Sequence, residues 1–147
     1  MREVFLKEAL KEAERAYALG EVPVGCVVVK DGLILARAHN RTEELKDASA
    51  HAELLALREA AKVLGDWRLE GCELYVTLEP CIMCAYALIL FRVDRVVFGA
   101  PDRKHGGVMS LYSLLDDDRL NHRVKWVYEP DEECGRLLRE FFKERRC

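Results

Sequence analysis

The segment CELYVTLEPCIMCAYALILFRVDRVVFGA, residues 72–100, predicts the centre of the fold. Its first seven residues are rich in types that favour strands, and Pro80 ends the strand because proline cannot donate to a sheet. Residues 82–91 are almost all apolar and predict a short helix buried between layers. Residues 95–100 predict a second strand. Strand, helix and strand form a βαβ crossover, so the two strands are expected to be parallel.

The flanking sequence extends this unit into an α/β domain. Residues 2–19 have apolar positions at helical spacing, and the run Val24–Val29 predicts a strand that is covered on both faces. Asp31-Gly32 predicts a hairpin turn into a second strand over Leu33–Ala38. The other predicted elements are a helix over 50–64, a short helix near 108–115, a strand near 123–128 and a helix over 131–145. This alternation predicts a mixed sheet of about five strands with helices on both faces.

Composition narrows the class of protein. The chain has 147 residues, 50% hydrophobic and 33% charged, which is typical of one globular domain over residues 1–147. Its N-terminus is charged throughout, and no apolar run approaches the ~20 residues of a membrane span, so we expect neither a signal peptide nor a membrane segment. The net charge of −3 argues against broad, non-specific binding of nucleic acid. Six cysteines without an export signal favour a reducing, cytoplasmic location.

Cys81 and Cys84 are the first candidate functional residues, because two cysteines three positions apart at a helix start can face one ion. The helix N-terminus stabilises negative charge there and lowers the pKa of a thiol. Taken alone, the pair is consistent with a thioredoxin-like redox site, with half of a structural zinc site, or with a catalytic zinc site.

His51 supplies a third candidate ligand, at the entry to the predicted helix over 50–64. A structural zinc site needs four protein ligands, but the chain has no second CxxC pair. The other histidines, His39, His105 and His122, do not pair with one another at ligand spacing. One histidine and two cysteines leave the fourth tetrahedral position open for water, which is the arrangement of a catalytic zinc site.

Glu53 is the candidate proton shuttle, which would take a proton from the zinc-bound water and return it to the substrate. Residues two apart on a helix point roughly 200° apart, so the two side chains converge only if His51 lies at the edge of the first turn. The alternative for Glu53 is a solvated carboxylate that the helix dipole favours. For Glu79, beside the cysteines, a charge at the helix N-terminus is the default interpretation.

The motifs HAE (51–53) and PCIMC (80–84) resemble those of the zinc nucleoside and nucleobase deaminases, whose signature is H-x-E with P-C-x-x-C. Within that superfamily the chain most resembles the bacterial tRNA adenosine deaminases, and the resemblance covers nearly all of it. The segments that carry this second resemblance are GEVPVGCVVVKDG, AHN, AHAELLALREAA, WRLEGCELYVTLEPCIMCAYAL, RVVFGAPDRKHGG, NHRV and LLREFFKERR. The resemblance implies a three-layer α/β/α, cytidine deaminase-like fold.

It also implies an activity and a set of site residues. The activity is hydrolytic deamination of adenosine to inosine at the wobble position of a tRNA anticodon loop, in which hydroxide activated by zinc attacks C6. For the chemistry, it implies one Zn²⁺ per subunit on His51, Cys81 and Cys84, and proton transfer by Glu53. For the target nucleotide, it implies contact with the flipped adenosine by Asn40 and the backbone of Ala52, and contact with ribose or backbone by Asp102. For the rest of the RNA, it implies phosphate contacts by Lys104 and Arg123, and contact with the anticodon stem-loop by Phe141, Phe142, Lys143, Arg145 and Arg146. Members of the family form homodimers.

Several alternatives remain at this point. Asn40 could simply end the hairpin and Asp102 could be a turn residue, while at least one of the adjacent Phe141 and Phe142 should pack inward. The enzyme could instead deaminate a small molecule such as cytosine, cytidine, guanine or a pterin-like base, which would leave FFKERR and DRKHGG without ligands. A zinc-stabilised subunit that only binds RNA is the third possibility, and Glu53 argues against it because a scaffold needs no proton shuttle.

Overall fold

The computed structural model of the protein describes residues 2–145 and contains a five-stranded mixed sheet. In chain order the elements are α1 (Arg2–Ala18), β1 (Gly25–Lys30), β2 (Leu33–His39), α2 (Thr42–Leu45), α3 (Ala52–Leu64), β3 (Cys72–Leu78), α4 (Ile82–Leu90), β4 (Arg95–Ala100), a 3₁₀ turn (Leu114–Asp116), β5 (Lys125–Tyr128) and α5 (Glu132–Glu144). The strand order is β2-β1-β3-β4-β5. β1 is antiparallel to β2 and β3, whereas β3, β4 and β5 are parallel. The predicted α/β architecture and its central βαβ unit are thus confirmed.

Helices cover both faces of the sheet and make three layers. On one face, Phe5 and Ala9 of α1 pack on alternate residues of the central strands, including Val27. On the other, α3 and α4 cover a larger core that includes Leu57 and Phe98. Because β1 contributes to both cores, it is buried on both faces, as its apolar run predicts.

The topology brings the candidate site residues to one edge of the sheet. The parallel strands β3 and β4 end at the same edge, where Cys81 and Asp102 follow them. β2 runs antiparallel to β1 and ends beside Gly25, so Asn40 follows at this edge too. The helices α3 and α4 begin there, with His51 and Cys81 at their starts. We call this the site edge.

The structure corrects the prediction that α4 is buried between layers. Cys84, Ala85, Ala87, Leu88 and Ile89 are buried, but a second apolar face is exposed to solvent. The side chains of that face are 37–51% exposed and belong to Ile82, Met83, Tyr86 and Leu90. Packing within this chain therefore explains only part of the apolar character of α4.

The predicted helix near 108–115 is also wrong, since residues 108–110 form a turn, residues 111–113 are not helical and only Leu114–Asp116 form a 3₁₀ turn. The backbone N–H groups of Val108 and Met109 donate to the carboxylate of Glu79 instead of to helical carbonyl groups. A distant side chain thus replaces the local hydrogen bonds that a helix would need.

A second long-range carboxylate forms the short helix α2, which the sequence pattern did not predict. Glu21 is 2% exposed and accepts hydrogen bonds from the N–H groups of Glu43 and Glu44, at 3.0 and 2.8 Å.

Within residues 2–145, no helix is both long enough and apolar enough to cross a membrane. Arg146, to which an RNA contact was assigned, and Cys147 lie outside the described residues.

Candidate active site

His51, Cys81 and Cys84 form a compact group of metal-binding side chains. The Nδ1 atom of His51 lies 3.6 Å from Sγ of Cys81 and 3.5 Å from Sγ of Cys84. All three donor atoms lie within 4.8 Å of one another. Tetrahedral zinc, with bonds of about 2.0 Å to nitrogen and 2.3 Å to sulfur, separates such donors by ~3.6 Å. The donor set and its spacing therefore fit zinc.

The backbone at two helix starts points these side chains at one another. His51 and Cys81 are the N-cap residues of α3 and α4, with extended backbone angles of φ −77° and ψ 149°, and φ −70° and ψ 174°. Neither side chain caps its own helix. Both are thus free to bind an ion, while two helix N-termini favour the negative charge of thiolates and carboxylates.

The two thiols of the group are shifted in opposite directions in pKa, because they hydrogen-bond to each other. The hydrogen bond from Cys84, supported by His51 and opposed by burial, lowers the pKa of Cys81 to about 4. The same bond and burial together raise the pKa of Cys84 well above its ordinary value. Metals bind deprotonated thiols, so the lowered pKa of Cys81 favours binding of an ion here.

Glu53, the second residue of α3, is buried at this group. It is 4% exposed, and burial raises the pKa of its carboxyl from 4.5 to about 7. A solvated first-turn carboxylate, the alternative considered from the sequence, does not describe it. His51 lies at the N-cap, just outside the first turn, as the convergence of the His51 and Glu53 side chains requires. A carboxyl that can exchange a proton near neutral pH therefore lies beside the metal-binding side chains.

Asn40 joins β2 to the start of α3. Its Oδ1 atom accepts a hydrogen bond from the N–H of Ala52 at 2.8 Å, and the residue is 8% exposed. The backbone N–H of Asn40 donates to the carbonyl of Val24, which continues the hairpin. Asn40 thus ends the hairpin and also caps the helix that carries Glu53. Ala52 directly follows His51 in the chain, and Asn40 is held to Ala52 by this hydrogen bond.

Asp102 and Lys104 follow β4 at the site edge. Oδ1 of Asp102 accepts hydrogen bonds from the backbone N–H groups of Lys104 and His105, both at 3.0 Å. Asp102 is therefore a turn former, as the alternative held, while its Oδ2 lies 3.8 Å from Nδ1 of His105. The side chain of Lys104 is exposed.

Glu79 has a role that sequence reasoning missed. It does not cap α4; its carboxylate accepts hydrogen bonds from the loop after β4, at Asp102, Val108, Met109 and Ser110. Burial alone would raise its pKa, but these hydrogen bonds outweigh burial and lower it. The nearby Gly106-Gly107 pair is a sequence signal of a close backbone approach, although it does not name the partner.

The remaining predicted contact residues lie farther from the metal-binding group. Arg123 precedes β5 and lines a cleft with Glu73 and Arg95, at the edge of the sheet opposite the site edge. Phe141 is 4% exposed and packs edge-on against Tyr17, whereas Phe142 is 48% exposed. This confirms that one of the two phenylalanines packs inward.

Three comparisons agree with this geometry. The sequence model of the cytidine and deoxycytidylate deaminase zinc-binding region matches residues 1–100. The tRNA-specific adenosine deaminase of Aquifex aeolicus (strain VF5) is 61% identical over 145 residues, which are 99% of this chain and 96% of that protein. The enzyme of the same name from Bacillus subtilis (strain 168) is 53% identical over 145 residues, covering 98% of this chain and 90% of that protein.

A solved structure is also similar. It comes from a study of A-to-I editing by tRNA:A34 deaminases at the wobble position of transfer RNA. It has a TM-score of 0.84 and 44% identity, and the match covers 87% of this chain and 98% of that one. The fold and the His–Cys–Cys group together define a zinc-dependent deaminase with the cytidine deaminase-like architecture. Given the identity over almost its whole length, the chain belongs to the family of tRNA-specific adenosine deaminases.

Proposed function

We propose that this enzyme hydrolyses adenosine to inosine at the wobble position of a tRNA anticodon loop. The observation that carries the proposal is the buried carboxyl of Glu53 beside a three-ligand metal group, in a chain 61% identical to a tRNA-specific adenosine deaminase. In the reaction, water adds to C6 of adenine, the bond between C6 and the exocyclic nitrogen breaks, and ammonia leaves.

We infer that His51, Cys81 and Cys84 hold one zinc ion per subunit. Zinc held by three protein ligands lowers the pKa of a bound water and so supplies the nucleophile. The thiolate character of Cys81 favours such binding, because metals bind the deprotonated thiol. The fit rests on the donor spacing of 3.5 and 3.6 Å.

Glu53 is the general base and then the general acid. Its carboxylate takes a proton from the attacking water and delivers it to the departing nitrogen. The raised pKa, about 7, suits this exchange because both protonation states are accessible near neutral pH. The backbone of α3 holds the carboxyl in place, and Asn40 caps that helix through Ala52.

The substrate base is contacted by Asn40 and the backbone of Ala52, which border the metal-binding group. Asp102 contacts the ribose or backbone near the target, and exposed Lys104 and Arg123 contact phosphates farther along the RNA. At the end of α5, exposed Phe142 and Lys143 contact the anticodon stem-loop. Arg145, whose guanidinium lies 3.7 Å from the centre of the Phe141 ring, adds positive charge there, and Phe141 supports it from below.

An anticodon loop suits the chemistry, because a deaminase acts on a base that has left the stack. Loop nucleotides are already partly unstacked, so the free-energy cost of turning the base outward is small. The net charge of −3 is consistent with recognition of one loop rather than of nucleic acid in general.

We further propose that residues 1–147 form one deaminase domain, that the enzyme acts in the cytoplasm, and that it is a homodimer. The exposed apolar face of α4 supports the dimer, because water-exposed clusters of large apolar side chains commonly mark interfaces. α4 also carries Cys84, so a dimer built on this face would bring the second subunit close to the metal-binding group.

The decisive experiment compares substrates for the zinc-loaded protein. It is incubated with an anticodon stem-loop that carries adenosine at the wobble position, with the same stem-loop carrying adenosine one position away, and with free adenosine, cytidine and guanine. Inosine formed only at the wobble position supports the proposal. Turnover of the free compounds would instead indicate a small-molecule deaminase. Bound zinc without any turnover would indicate a binding subunit.

A further inference from the structure

Glu79 is a buried carboxylate to which the proposed chemistry gives no task. It is 1% exposed. Its Oε1 accepts hydrogen bonds from the N–H of Asp102, at 3.0 Å, and from the hydroxyl of Ser110. Its Oε2 accepts from the N–H groups of Val108, Met109 and Ser110, at 3.1, 2.8 and 3.0 Å. One side chain thus collects five donors from a single loop.

We call residues 102–110 the substrate loop. Glu79 binds both of its ends, since Asp102 begins the loop and Ser110 closes it. Residue 79 itself directly follows β3, and its own N–H donates to the carbonyl of Ala100 at 2.8 Å. The carboxylate therefore replaces the regular secondary structure that the loop lacks.

Two glycines let the substrate loop lie directly against the metal-binding turn. A Cβ atom at Gly106 would lie 2.3 Å from Oε2 of Glu79, and one at Gly107 would lie 2.7 Å from Cα of Ile82. Gly106 also pairs with Cys81 in an isolated bridge, and the N–H of Gly107 donates to the carbonyl of Pro80 at 2.8 Å. Any displacement of the loop is therefore transmitted to the approach to the metal.

We propose that Glu79 is a positioning residue, which fixes the substrate loop relative to Cys81 and Cys84 and so sets how tightly the RNA around the target adenosine is bound. The inference rests on the proposed function, because it assigns Asp102 and Lys104 to the RNA contact. Glu79 itself is buried under the loop and acts through those two residues.

The carboxylate is required because all five of its partners can donate. A glutamine at position 79 keeps its size and can present its carbonyl oxygen to the three N–H groups that Oε2 binds. Its NH₂ group then faces the N–H of Asp102, and two donors oppose each other. The Glu79→Gln variant thus disturbs mainly the Asp102 end of the loop, while Ser110 can turn its hydroxyl to accept.

The test compares Glu79→Gln with wild type, both loaded with zinc, on the stem-loop substrate. We expect KM to rise about tenfold, as for loss of one hydrogen bond to a charged group, while zinc content stays unchanged and kcat changes much less. Hydrogen exchange of the free protein should become faster in residues 102–105. Ser110→Ala, which removes a single donor, should shift KM and exchange in the same direction by a smaller factor.

Glu12→Gln is the matched control. Glu12 is another buried carboxylate, 2% exposed, but it belongs to α1 and accepts from Arg37 at 3.0 Å. Its variant should lose stability without a change of KM, which separates positioning from a general loss of stability.

Unchanged KM, unchanged exchange in the substrate loop, or loss of zinc in Glu79→Gln would each overturn the inference. If Glu79→Gln does not fold, Ser110→Ala decides the question by the same two measurements. Failure of the proposed function is recognised separately, since wild type would then be inactive on the stem-loop. The exchange measurement needs no RNA and still tests whether Glu79 fixes the loop.

Discussion

Replacing Glu53 by glutamine is expected to slow deamination strongly and, at the same time, to stabilise the metal-free protein at alkaline pH. The carboxyl is 4% exposed, and burial raises its pKa to about 7 in the folded protein from an ordinary 4.5. The unfolded chain titrates near the ordinary value. Below about pH 4.5 both states are protonated, and folding gains or loses nothing from this group.

The sign and size of the effect follow from these two pKa values. Because the folded-state pKa is raised, the contribution of Glu53 to the free energy of unfolding is most favourable below pH 4.5 and falls as the pH rises towards 7. Above pH 7 the loss is complete, and the interval between 4.5 and about 7 corresponds to about 3 kcal/mol. Glutamine cannot ionise, so metal-free Glu53→Gln should gain about 3 kcal/mol at pH 8 and less than about 1 kcal/mol at pH 5.

Urea unfolding of both proteins, with a chelator and a reductant, measures this difference at the two pH values. The zinc-loaded variant should keep its metal and lose at least ~10²-fold in rate, the range for removing a general acid–base. Glu12→Gln serves as the control, because an ion-paired carboxylate should lose stability at both pH values. An equal change in the free energy of unfolding at pH 8 and pH 5 would show that the pKa of Glu53 is not raised by burial. Retained activity of Glu53→Gln would refute its role in proton transfer.

Three further substitutions test the metal group, the layer contact and the interface. Cys81→Ser should lose zinc, measured by metal analysis, and lower the unfolding temperature; a variant with full zinc content would contradict its role as a ligand. Gly25→Ala should destabilise the protein by about 3 kcal/mol in urea unfolding, because the new Cβ would lie 2.0 Å from the carbonyl oxygen of Ala9 in α1. An unchanged urea midpoint would show that α1 can move away from the new Cβ at little cost in free energy. Tyr86→Glu, on the exposed face of α4, should convert the proposed dimer to monomers in sedimentation, and an unchanged mass would contradict an interface on this face.

The parts of the fold predicted from the sequence are those with local causes. The strands β3 and β4 and the helix between them follow from residue types and from Pro80, and their parallel pairing follows from the crossover. The metal-binding group was predictable because Cys81 and Cys84 are one turn apart and because counting ligands required His51. These inferences need only spacing along the chain and the coordination preference of zinc.

The parts that the sequence did not predict depend on distant partners. The sequence predicts a helix near 108–115, but Glu79, about thirty positions earlier, takes the N–H groups of Val108 and Met109 instead. Glu21 forms α2 in the same way. For α4, an apolar sequence predicts burial, and the exposure of Tyr86 and Leu90 becomes visible only once the neighbouring elements are known.

Glu53 and Glu79 are two buried carboxyls at the site edge whose pKa values are shifted in opposite directions. Both are almost fully buried, at 4% and 1% exposure, yet the pKa of Glu53 is raised and that of Glu79 is lowered. For Glu53 burial is the dominant influence, whereas for Glu79 the donors of the substrate loop outweigh it. A carboxylate held by backbone N–H groups stays charged and rigid, which suits a fixed scaffold. A carboxyl whose pKa burial raises to about 7 can take up and release a proton near neutral pH. The same residue type thus provides a support and a proton carrier at one edge of the sheet.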